Sequence, residues 1–374
     1  MKRKWRPDPG WTGTWPMPLV LRQPITDRER GALVALSRAG MGPSRLAATL
    51  QNGDPIDELS GSFGLEWRAM LSDLGRLSSR VLVPSDDEYP ELLCTIDAPP
   101  PLLYVHGEPL EGPLPCVGIV GARACTRGAA RFAQRLGSAV ASAGFTVVSG
   151  LARGIDAAAH RGALENGSTI AVLGTGLDVC YPSEHRDLAA SITRQGALVT
   201  EFPPGIGPKA WHFPARNRII AGLSTALIVV EAGLGSGALI TVGFALDQGR
   251  EVYACTTGPE NPAGAGIRAL LLDGAQLIVD EDQAVDLLFD LVDASRPVGE
   301  PPVERDPAAR LSGEKRLVYE AIVEGSTADD VADVIEMPTG QVAAVLAALE
   351  LDGLVASVGD RWELREAGVD EGSF

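Results

Sequence analysis

Short apolar runs recur between residues 115 and 280, and they constrain the fold of this chain more than any other feature. The runs do not alternate polar and apolar residues, each ends in glycine or a polar residue, and each is followed by a helical stretch. Unbroken apolarity indicates strands buried on both faces, and the intervening helices indicate that the strands are parallel. We therefore predict an α/β fold with a Rossmann-like, doubly wound and mostly parallel sheet. The predicted strands are 116–120, 146–148, 169–173, 197–200, 225–230, 251–254 and 276–279.

Different patterns flank this region, and they divide the 374 residues into several domains. Residues 27–80 have helical periodicity broken by Gly-Met-Gly-Pro at 40–43, which suggests either a SAM-like hairpin module or a simple helical packing domain. Residues 312–365 have the outline of a winged helix, namely three helices followed by a short hairpin. We predict an N-terminal arm and a helical SAM-like domain at 1–80, and a Rossmann-like core at 81–293. The core begins with an irregular, proline-rich leading segment at 81–114. A linker at 294–311 and a winged-helix domain with its tail at 312–374 follow.

The net charge of −17 is unevenly distributed along the chain. Residues 115–250 contain 12 basic and 8 acidic side chains, whereas residues 301–374 contain 6 basic and 16 acidic ones. An acidic protein ordinarily repels nucleic acid, but the middle of this chain is mildly basic. The net charge therefore does not exclude a polyanionic ligand in the predicted sheet domain.

The cysteines and the apolar segments indicate a cytoplasmic protein. The five cysteines are scattered and lack C-x-x-C spacing, so the sequence predicts neither a disulfide framework nor a zinc site. The four histidines do not cluster with cysteine or aspartate, and we expect no metal. No uncharged apolar run has the ~18 residues of a membrane-spanning helix, and no apolar stretch follows the basic N-terminus.

Glycine and small hydroxyl residues follow four of the predicted strands. Parallel strands place their carboxyl ends at one edge of a sheet, where helix N-termini present backbone N–H groups and a positive dipole. A single glycine there usually marks only a tight turn, but four glycine-rich turns at one edge favour a phosphate site. The residues assigned to the site from these turns are Gly121, Thr126, Gly150, Gly154, Gly174, Gly176, Ser236, Gly237 and Thr241.

Arginine residues accompany these turns. Arg123 and Arg153 lie in the turns, and Arg216 and Arg218 flank Asn217 near the start of a predicted helix. The guanidinium group binds phosphate bidentately and stays charged at neutral pH. A salt bridge to a neighbouring acid is the alternative explanation, and it applies most readily to Arg153 and Arg218. We assign all five side chains to the predicted phosphate site.

Several common ligand and catalytic motifs are missing from the chain. It has no G-x-x-x-x-G-K-[ST], no G-x-G-x-x-G after the first strand and no G-x-S-x-G. The second strand also lacks the acid that binds ribose in a dinucleotide site. We therefore predict no catalytic residues, no nucleotide hydrolysis, and no nicotinamide or flavin cofactor.

The motifs that are present resemble those of the DNA-processing protein A (DprA/Smf) family. The resemblance covers residues 81–281, and the SAM-like and winged-helix outlines fit the usual ends of the family. The matching motifs are V-G-A-R at 120–123, S-G-L-A-R-G-I-D-x-x-x-H at 149–160, G-T-G-L-D-x-x-Y-P at 174–182, T-E-F-P-P-G at 200–205, F-P-A-R-N-R-I-I-A-G-L-S at 213–224 and S-G-A-L-I-T at 236–241.

This resemblance implies a function and a set of contacts. Proteins of the family bind single-stranded DNA, protect it, and help load the RecA recombinase onto it in natural transformation and recombination. They usually form homodimers, and no cofactor or turnover chemistry is known for them. The phosphate-facing positions of the family correspond here to Gly121, Arg123, Thr126, Gly150, Gly154, Gly174, Gly176, Arg216 and Asn217.

The chain departs from the family pattern in three places. Ser183 stands where many members have a basic residue, and residues 264–268 lack the serine and asparagine often found there. The predicted winged helix is acidic, because residues 312–366 contain 4 basic and 12 acidic side chains and the helix at 339–351 has no basic one. Phosphate would repel such a helix, so we expect this domain to bind protein rather than DNA.

Two other functions are alternatives at this point. A nucleotide-processing phosphoribohydrolase of the lysine decarboxylase-like superfamily would carry P-G-G-x-G-T-x-x-E, which residues 233–237 resemble only loosely and without the glutamate. A scaffold that senses a small nucleotide and binds partner proteins would use the same glycine-rich turns. Release of base from nucleoside monophosphates would indicate the enzyme, and binding of mononucleotide in preference to a DNA strand would indicate the scaffold.

Overall fold

The computed structural model describes residues 25–52, 75, 79–110, 115–255, 264–296, 311, 313–323 and 325–365. The predicted arm at 1–24 and most of the predicted linker at 294–311 lie outside these residues. The tertiary contacts divide the chain after Ala284 into two compact units. The four domain ranges stay predictions.

A nine-stranded sheet forms the centre of the first unit. Seven of its strands are parallel, and two further strands add an antiparallel edge. Each of the predicted strands is present. In the order in which they lie side by side, the strands are β1 (Ser79–Leu82), β2 (Leu103–Gly107), β6 (Ala197–Thr200), β5 (Thr169–Val172), β4 (Thr146–Ser149), β3 (Cys116–Val120), β7 (Ala226–Val229), β8 (Glu251–Cys255) and β9 (Gln276–Ile278).

Helices connect the parallel strands and cover the sheet. Every residue of β4, β5, β6 and β7 is buried, as unbroken apolarity predicts for strands covered on both faces. The helices of the first unit are α1 (Asp27–Arg38), α2 (Pro43–Asn52), α3 (Glu91–Cys94), α4 (Arg127–Ser142), α5 (Ile155–Asn166), α6 (Arg186–Gln195), α7 (His212–Leu223), α8 (Ala238–Asp247) and α9 (Ala265–Leu272), and α10 (Glu281–Ala294) begins in the first unit and ends in the second.

The strand order confirms the predicted doubly wound fold. From β3 the chain proceeds to one side through β4, β5 and β6, and α7 then returns it to β7 on the other side of β3. β3 and β7 are neighbours, with Val120 opposite Val229. Because the connections leave this pair in opposite directions, a crevice opens beyond the carboxyl ends of the two strands.

The leading segment at 81–114 was predicted to be irregular, and this prediction was wrong. β1 and β2 pair antiparallel, with Val81 opposite Tyr104, and β2 also pairs with β6. The prolines at 99–101 precede β2 and do not interrupt it. Residues around Tyr104 form a strand by pairing with β1 and with β6, and because β6 is distant in sequence, local pattern gives little indication of the strand.

The two N-terminal helices pack against this antiparallel edge. Thr26 caps α1, because its hydroxyl accepts a hydrogen bond from the N–H of Glu29 and its own N–H donates to the Glu29 carboxylate. α1 contributes Leu33 and Leu36 to a core that also contains Tyr104 of β2. The helices predicted within 27–50 are present, and their core continues onto the sheet.

The second unit contains the predicted winged helix. Three helices, α11 (Gly313–Glu320), α12 (Ala328–Ile335) and α13 (Thr339–Leu351), precede a hairpin of β11 (Val355–Val358) and β12 (Arg361–Leu364). β10 (Ser326–Thr327) pairs with β12. Among the described residues, no single helix is long and apolar enough to span a bilayer, and α12 and α13 meet that requirement only as a pair bent by 114°. The core of this unit contains Leu311, Val318, Tyr319, Ile322, Val331, Ala332, Val342, Leu346, Leu349 and Val355.

Candidate functional site

The crevice between β3 and β7 holds a cavity of about 910 Å³. It lies where a doubly wound sheet binds ligands, and its volume lies within the range of ~300–1,000 Å³ typical of ligand sites. The cavity brings together seven of the fourteen predicted site residues, namely Gly121, Arg123, Arg216, Asn217, Ser236, Gly237 and Thr241.

Exposed cationic and aromatic side chains form the outer wall of the cavity. The guanidinium carbon of Arg123 lies 5.2 Å from the centroid of the Phe213 ring, so a cation–π contact orients the arginine while it stays exposed. The Tyr181 ring contacts Phe213, with 5.3 Å between centroids. Lys209 is also exposed and adds a second cation. This wall therefore offers positive charge beside an aromatic surface.

Arg216 places a buried cation on the inner wall. Its Nη1 donates hydrogen bonds to the carbonyl oxygens of Gly150, at 2.7 Å, and of Val172. Burial lowers the pKa of Arg216 to about 10, an effect that Asp156 opposes and Arg123 reinforces. The guanidinium therefore stays charged at neutral pH, and it gives the cavity a fixed positive charge.

Asp156 is the acid on the inner wall. Its Oδ2 accepts hydrogen bonds from the N–H groups of Gly150, at 3.1 Å, and of Ala152, at 3.4 Å. Burial raises the pKa of Asp156, and the charge of Arg216 and the two backbone N–H groups act in the opposite direction. The carboxylate thus holds the turn between β4 and α5 in place next to Arg216.

Two glycines give this turn its shape. A Cβ on Gly150 would lie 2.5 to 2.7 Å from atoms of the Arg216 guanidinium, a separation that real Cβ atoms do not reach. Gly154 precedes α5 with φ of 77°, a conformation that favours glycine over residues with a side chain. Neither glycine lines the cavity, although both were predicted to contact phosphate. Instead, glycine at these two positions allows the turn to take the conformation that forms the inner wall of the cavity.

The N-terminus of α8 closes another side of the cavity. The Nδ2 of Asn217 donates a hydrogen bond to the Gly237 carbonyl at 3.3 Å, which joins α7 to the start of α8. Ser236 accepts a hydrogen bond from the N–H of Ala238, and Thr241 is buried in the first turn of the helix. The dipole of α8 favours an anion at this end.

Thr126 was predicted to contact phosphate, but its polar groups are used within the protein. Its hydroxyl donates to the Glu231 carboxylate at 2.9 Å and accepts from the N–H of Ala129 at 3.1 Å. Its own N–H donates to Glu231 at 3.1 Å. Thr126 therefore caps α4 and joins it to the end of β7, and the structure does not bring it into the cavity lining.

Arg153 and Arg218 also lie outside the cavity lining, and both form ion pairs. Arg153 is exposed and pairs with Glu184. Arg218 is buried and donates two hydrogen bonds to Glu201, at 2.8 and 2.7 Å. The alternative given for these residues, a salt bridge to a neighbouring acid, therefore applies to both arginines. The prediction that Arg218 faces a phosphate is not supported, because its guanidinium is enclosed with its partner.

Gly174 and Gly176 do not line the cavity, but both contact the segment between β6 and α7 or the start of α7. The Gly174 carbonyl accepts a hydrogen bond from Nδ1 of His212 at 3.0 Å, and a Cβ there would lie 3.0 Å from the Phe213 ring. The N–H of Gly176 donates to the Ile206 carbonyl at 2.8 Å. The two glycines therefore position the segment that leads into α7.

Sixteen of the 23 lining residues were not predicted, and those among them with polar or charged side chains are Asp156, Tyr181 and Lys209. Asp156 and Tyr181 belong to the family motifs, which gave a usable signal for them. Lys209 lies in the loop between β6 and α7, where no local pattern distinguishes it. Among the described residues, no group of three or more His, Cys, Asp and Glu side chains could hold a metal ion.

Comparison with known families identifies the protein family that has this fold and this cavity. Residues 80–289, which include the whole cavity and all of the sheet except Ser79, match the family described as DNA recombination-mediator protein A. The chain belongs to this family. Residues 301–361 match the DprA winged helix domain. The general role of this family is DNA processing in recombination.

Curated relatives agree with this assignment. Protein Smf of Synechocystis is 37% identical over 312 residues, covering 74% of this chain and 77% of the relative. Protein Smf of Escherichia coli is 40% identical over 285 residues, covering 74% and 75%. A putative DNA processing protein DprA of Mycobacterium tuberculosis is 35% identical over 360 residues, covering 91% and 92%.

Two solved structures are similar to this one. DprA from Streptococcus pneumoniae superposes with a TM-score of 0.59 at 34% identity, covering 71% of this chain and 98% of that chain. DprA from Helicobacter pylori, described for its unique single-stranded DNA binding mode, has a TM-score of 0.52 at 26% identity, covering 57% and 97%.

Proposed function

We propose that this protein binds single-stranded DNA through phosphates that enter the cavity between β3 and β7, and that it acts as a non-enzymatic recombination mediator. The observation that carries the proposal is the convergence of Arg123, Lys209 and Arg216 with the N-terminus of α8 on one cavity. Single-stranded DNA binding by the Helicobacter pylori relative supports the choice of polymer.

The chemistry of the cavity favours contacts to the DNA backbone over recognition of base sequence. Arginine and lysine bind phosphates without regard to the base attached, and the aromatic surface here consists of Tyr181 and Phe213. We expect similar affinity for strands of different sequence. The logarithm of the binding constant should fall with the logarithm of salt concentration, with a slope of about −0.7 for each neutralised phosphate.

The family membership extends the proposal to partners and setting. We propose that the protein protects incoming DNA in the cytoplasm and loads the RecA recombinase onto it during recombination and natural transformation. The winged helix is proposed to contact protein, because α13 lacks basic residues and the surrounding residues are mainly acidic.

We propose that the protein forms a homodimer through the β9 end of the sheet. β9 pairs with β8 on one side and lies last in the described sheet. Leu277 on β9 is 38% exposed, and Leu272 of α9 and Val279 are also exposed. A second copy pairing β9 with β9 around a two-fold axis would cover these side chains and the side of β9 that pairs with no described strand. Leu277→Glu should convert dimer to monomer in light scattering, and an unchanged mass would place the dimer elsewhere.

Fluorescence anisotropy with labelled single- and double-stranded DNA tests the proposed function. We expect the single strand to bind more tightly, a mononucleotide to compete only weakly, and no base to be released from nucleoside monophosphates. Tighter binding of the mononucleotide would instead support the nucleotide-sensing scaffold. Release of base would support the phosphoribohydrolase.

A further inference from the structure

Leu151, in the turn between β4 and α5, has an unusual backbone conformation. Its φ is 55°, and among the described residues other than glycine only Glu336 also has a positive φ. Residues with a side chain disfavour this left-handed region, so the surrounding structure must hold Leu151 there. The Leu151 side chain is fully buried, in a cluster with Ala157 and Leu173, and glycine could not supply that packing.

Two buried histidines hold the backbone of Leu151, one at each end of the residue. The N–H of Leu151 donates to Nε2 of His160 at 3.3 Å. The carbonyl oxygen of Leu151 accepts from Nδ1 of His185 at 2.8 Å. His160 comes from α5 and His185 from a short 3₁₀ helix (Ser183–His185) before α6, so two elements converge on one residue of the turn.

The hydrogen bonds around His160 fix its tautomer. The Thr169 hydroxyl donates to the Val147 carbonyl at 2.7 Å, so its oxygen accepts from Nδ1–H of His160, also at 2.7 Å. Nε2 is then the unprotonated nitrogen, as it must be to accept the N–H of Leu151. This chain of hydrogen bonds requires neutral His160.

The residues on either side of Leu151 connect it to the inner wall of the cavity. The carbonyl of Gly150 accepts the hydrogen bond from Arg216, and Ala152 lines the cavity. The N–H groups of both residues donate to Asp156. Rotation of Leu151 out of its left-handed conformation would therefore redirect the groups that orient Arg216 and Asp156.

We propose that His160 and His185 are positioning residues for the cavity, which act by holding Leu151 in its left-handed conformation. Neither histidine lines the cavity, so both act through the turn rather than on the ligand. The expected effect of the two histidines on DNA binding rests on the proposed function, whereas their expected effect on the conformation of the turn does not.

Amide substitutions separate the contacts of each histidine. The amide nitrogen of asparagine can replace Nδ1, and the amide oxygen of glutamine can replace Nε2. His160→Gln therefore keeps an acceptor for Leu151, and His160→Asn loses it. At His185 the order reverses, because His185→Asn keeps the donor to Leu151 and His185→Gln loses it.

The test measures hydrogen–deuterium exchange of a peptide spanning 149–156 and the affinity for labelled oligo(dT), in the full chain. His160→Asn and His185→Gln should speed exchange of this peptide and weaken DNA binding about tenfold, and each matched variant should stay near the wild type. The His185 pair decides the question if His160→Asn does not fold. Equal exchange and equal affinity within each pair would overturn the proposal. If the wild type does not bind DNA but the exchange contrast persists, the proposed function fails and the positioning role stands.

Discussion

The guanidinium of Arg216 donates a hydrogen bond of 2.7 Å to the carbonyl oxygen of Gly150, and this contact joins α7 to the turn after β4. The N–H of the same glycine donates to Asp156 at 3.1 Å. The turn after β4 is thus held by two side chains, Arg216 from a distant part of the chain and Asp156 from the start of α5. The inner wall of the cavity depends on this arrangement.

Replacing Gly150 by alanine should disturb the contact, because the new Cβ would lie 2.5 to 2.7 Å from the Arg216 guanidinium. We expect the free energy of unfolding to fall by about 1–3 kcal/mol and DNA affinity to fall about tenfold. Urea unfolding and anisotropy measure the two effects.

Gly243→Ala is the matched control for that substitution. A Cβ on Gly243 would meet no atom within 4 Å, and Gly243 lies in α8. Alanine inside a helix is favoured over glycine by about 0.5–1 kcal/mol, so this variant should be slightly more stable. If Gly150→Ala behaved like Gly243→Ala, the close approach of Arg216 would be unimportant.

Arg218→Met should affect stability rather than DNA binding. The substitution leaves the Glu201 carboxylate buried without its ion-pair partner. Breaking such a pair destabilises a protein by about 3–5 kcal/mol. Variant protein that remains folded should bind DNA like the wild type, since Arg218 does not line the cavity. Weakened binding by fully folded variant would show that Arg218 contributes to the DNA site.

Acid should destabilise the protein through His160. Burial lowers the pKa of His160 from 6.5 to about 3, with smaller effects of the same sign from Arg216, His185 and Arg161. The unfolded chain therefore binds a proton below about pH 6.5 that the folded chain does not. The contribution of this histidine is present in full above pH 6.5 and is lost as the pH falls toward 3, with a slope of at most about 1.4 kcal/mol per pH unit.

Urea unfolding at pH 7 and pH 5 checks this dependence. The loss of stability between the two pH values should be smaller in His160→Gln than in the wild type, because glutamine does not titrate. An equal loss in both proteins would assign the acid sensitivity to other groups.

Removing residues 300–374 should leave the affinity for single-stranded DNA close to that of the full chain. Residues 312–366 contain 12 acidic and 4 basic side chains, so their contribution to phosphate binding should be negligible. Anisotropy at equal ionic strength compares the two proteins. A marked loss of affinity on truncation would contradict the proposal that the winged helix contacts protein.

The parallel sheet was predictable from sequence because its strands are short, mainly apolar runs without alternation, and β4, β5, β6 and β7 are buried at every residue. β1 and β2 were not, since they form by pairing with each other across a proline-rich segment, and β2 also pairs with β6, which is distant in sequence. The order of the strands and the crevice at β3 and β7 follow from the known regularities of doubly wound sheets.

The candidate site was predicted less completely than the fold. Arg216 and Arg218 are two residues apart in a helix and so point to nearly opposite sides, which explains why only Arg216 lines the cavity. Sequence proximity to glycine-rich turns did not reveal that Thr126 is used as a helix cap. Lys209 lines the cavity from the loop between β6 and α7, and no local pattern in the sequence indicates this.

The most direct test of the DNA site compares Arg123→Ala, Lys209→Ala and the control Arg131→Ala in binding to a labelled strand of about 20 nucleotides over a range of salt concentrations. Arg131 is exposed on α4 and does not line the cavity. We expect each cavity substitution to weaken binding to all sequences alike and to reduce the salt slope by about 0.7, and the control to match the wild type. Wild-type affinity and slope in both cavity variants would show that DNA binds elsewhere.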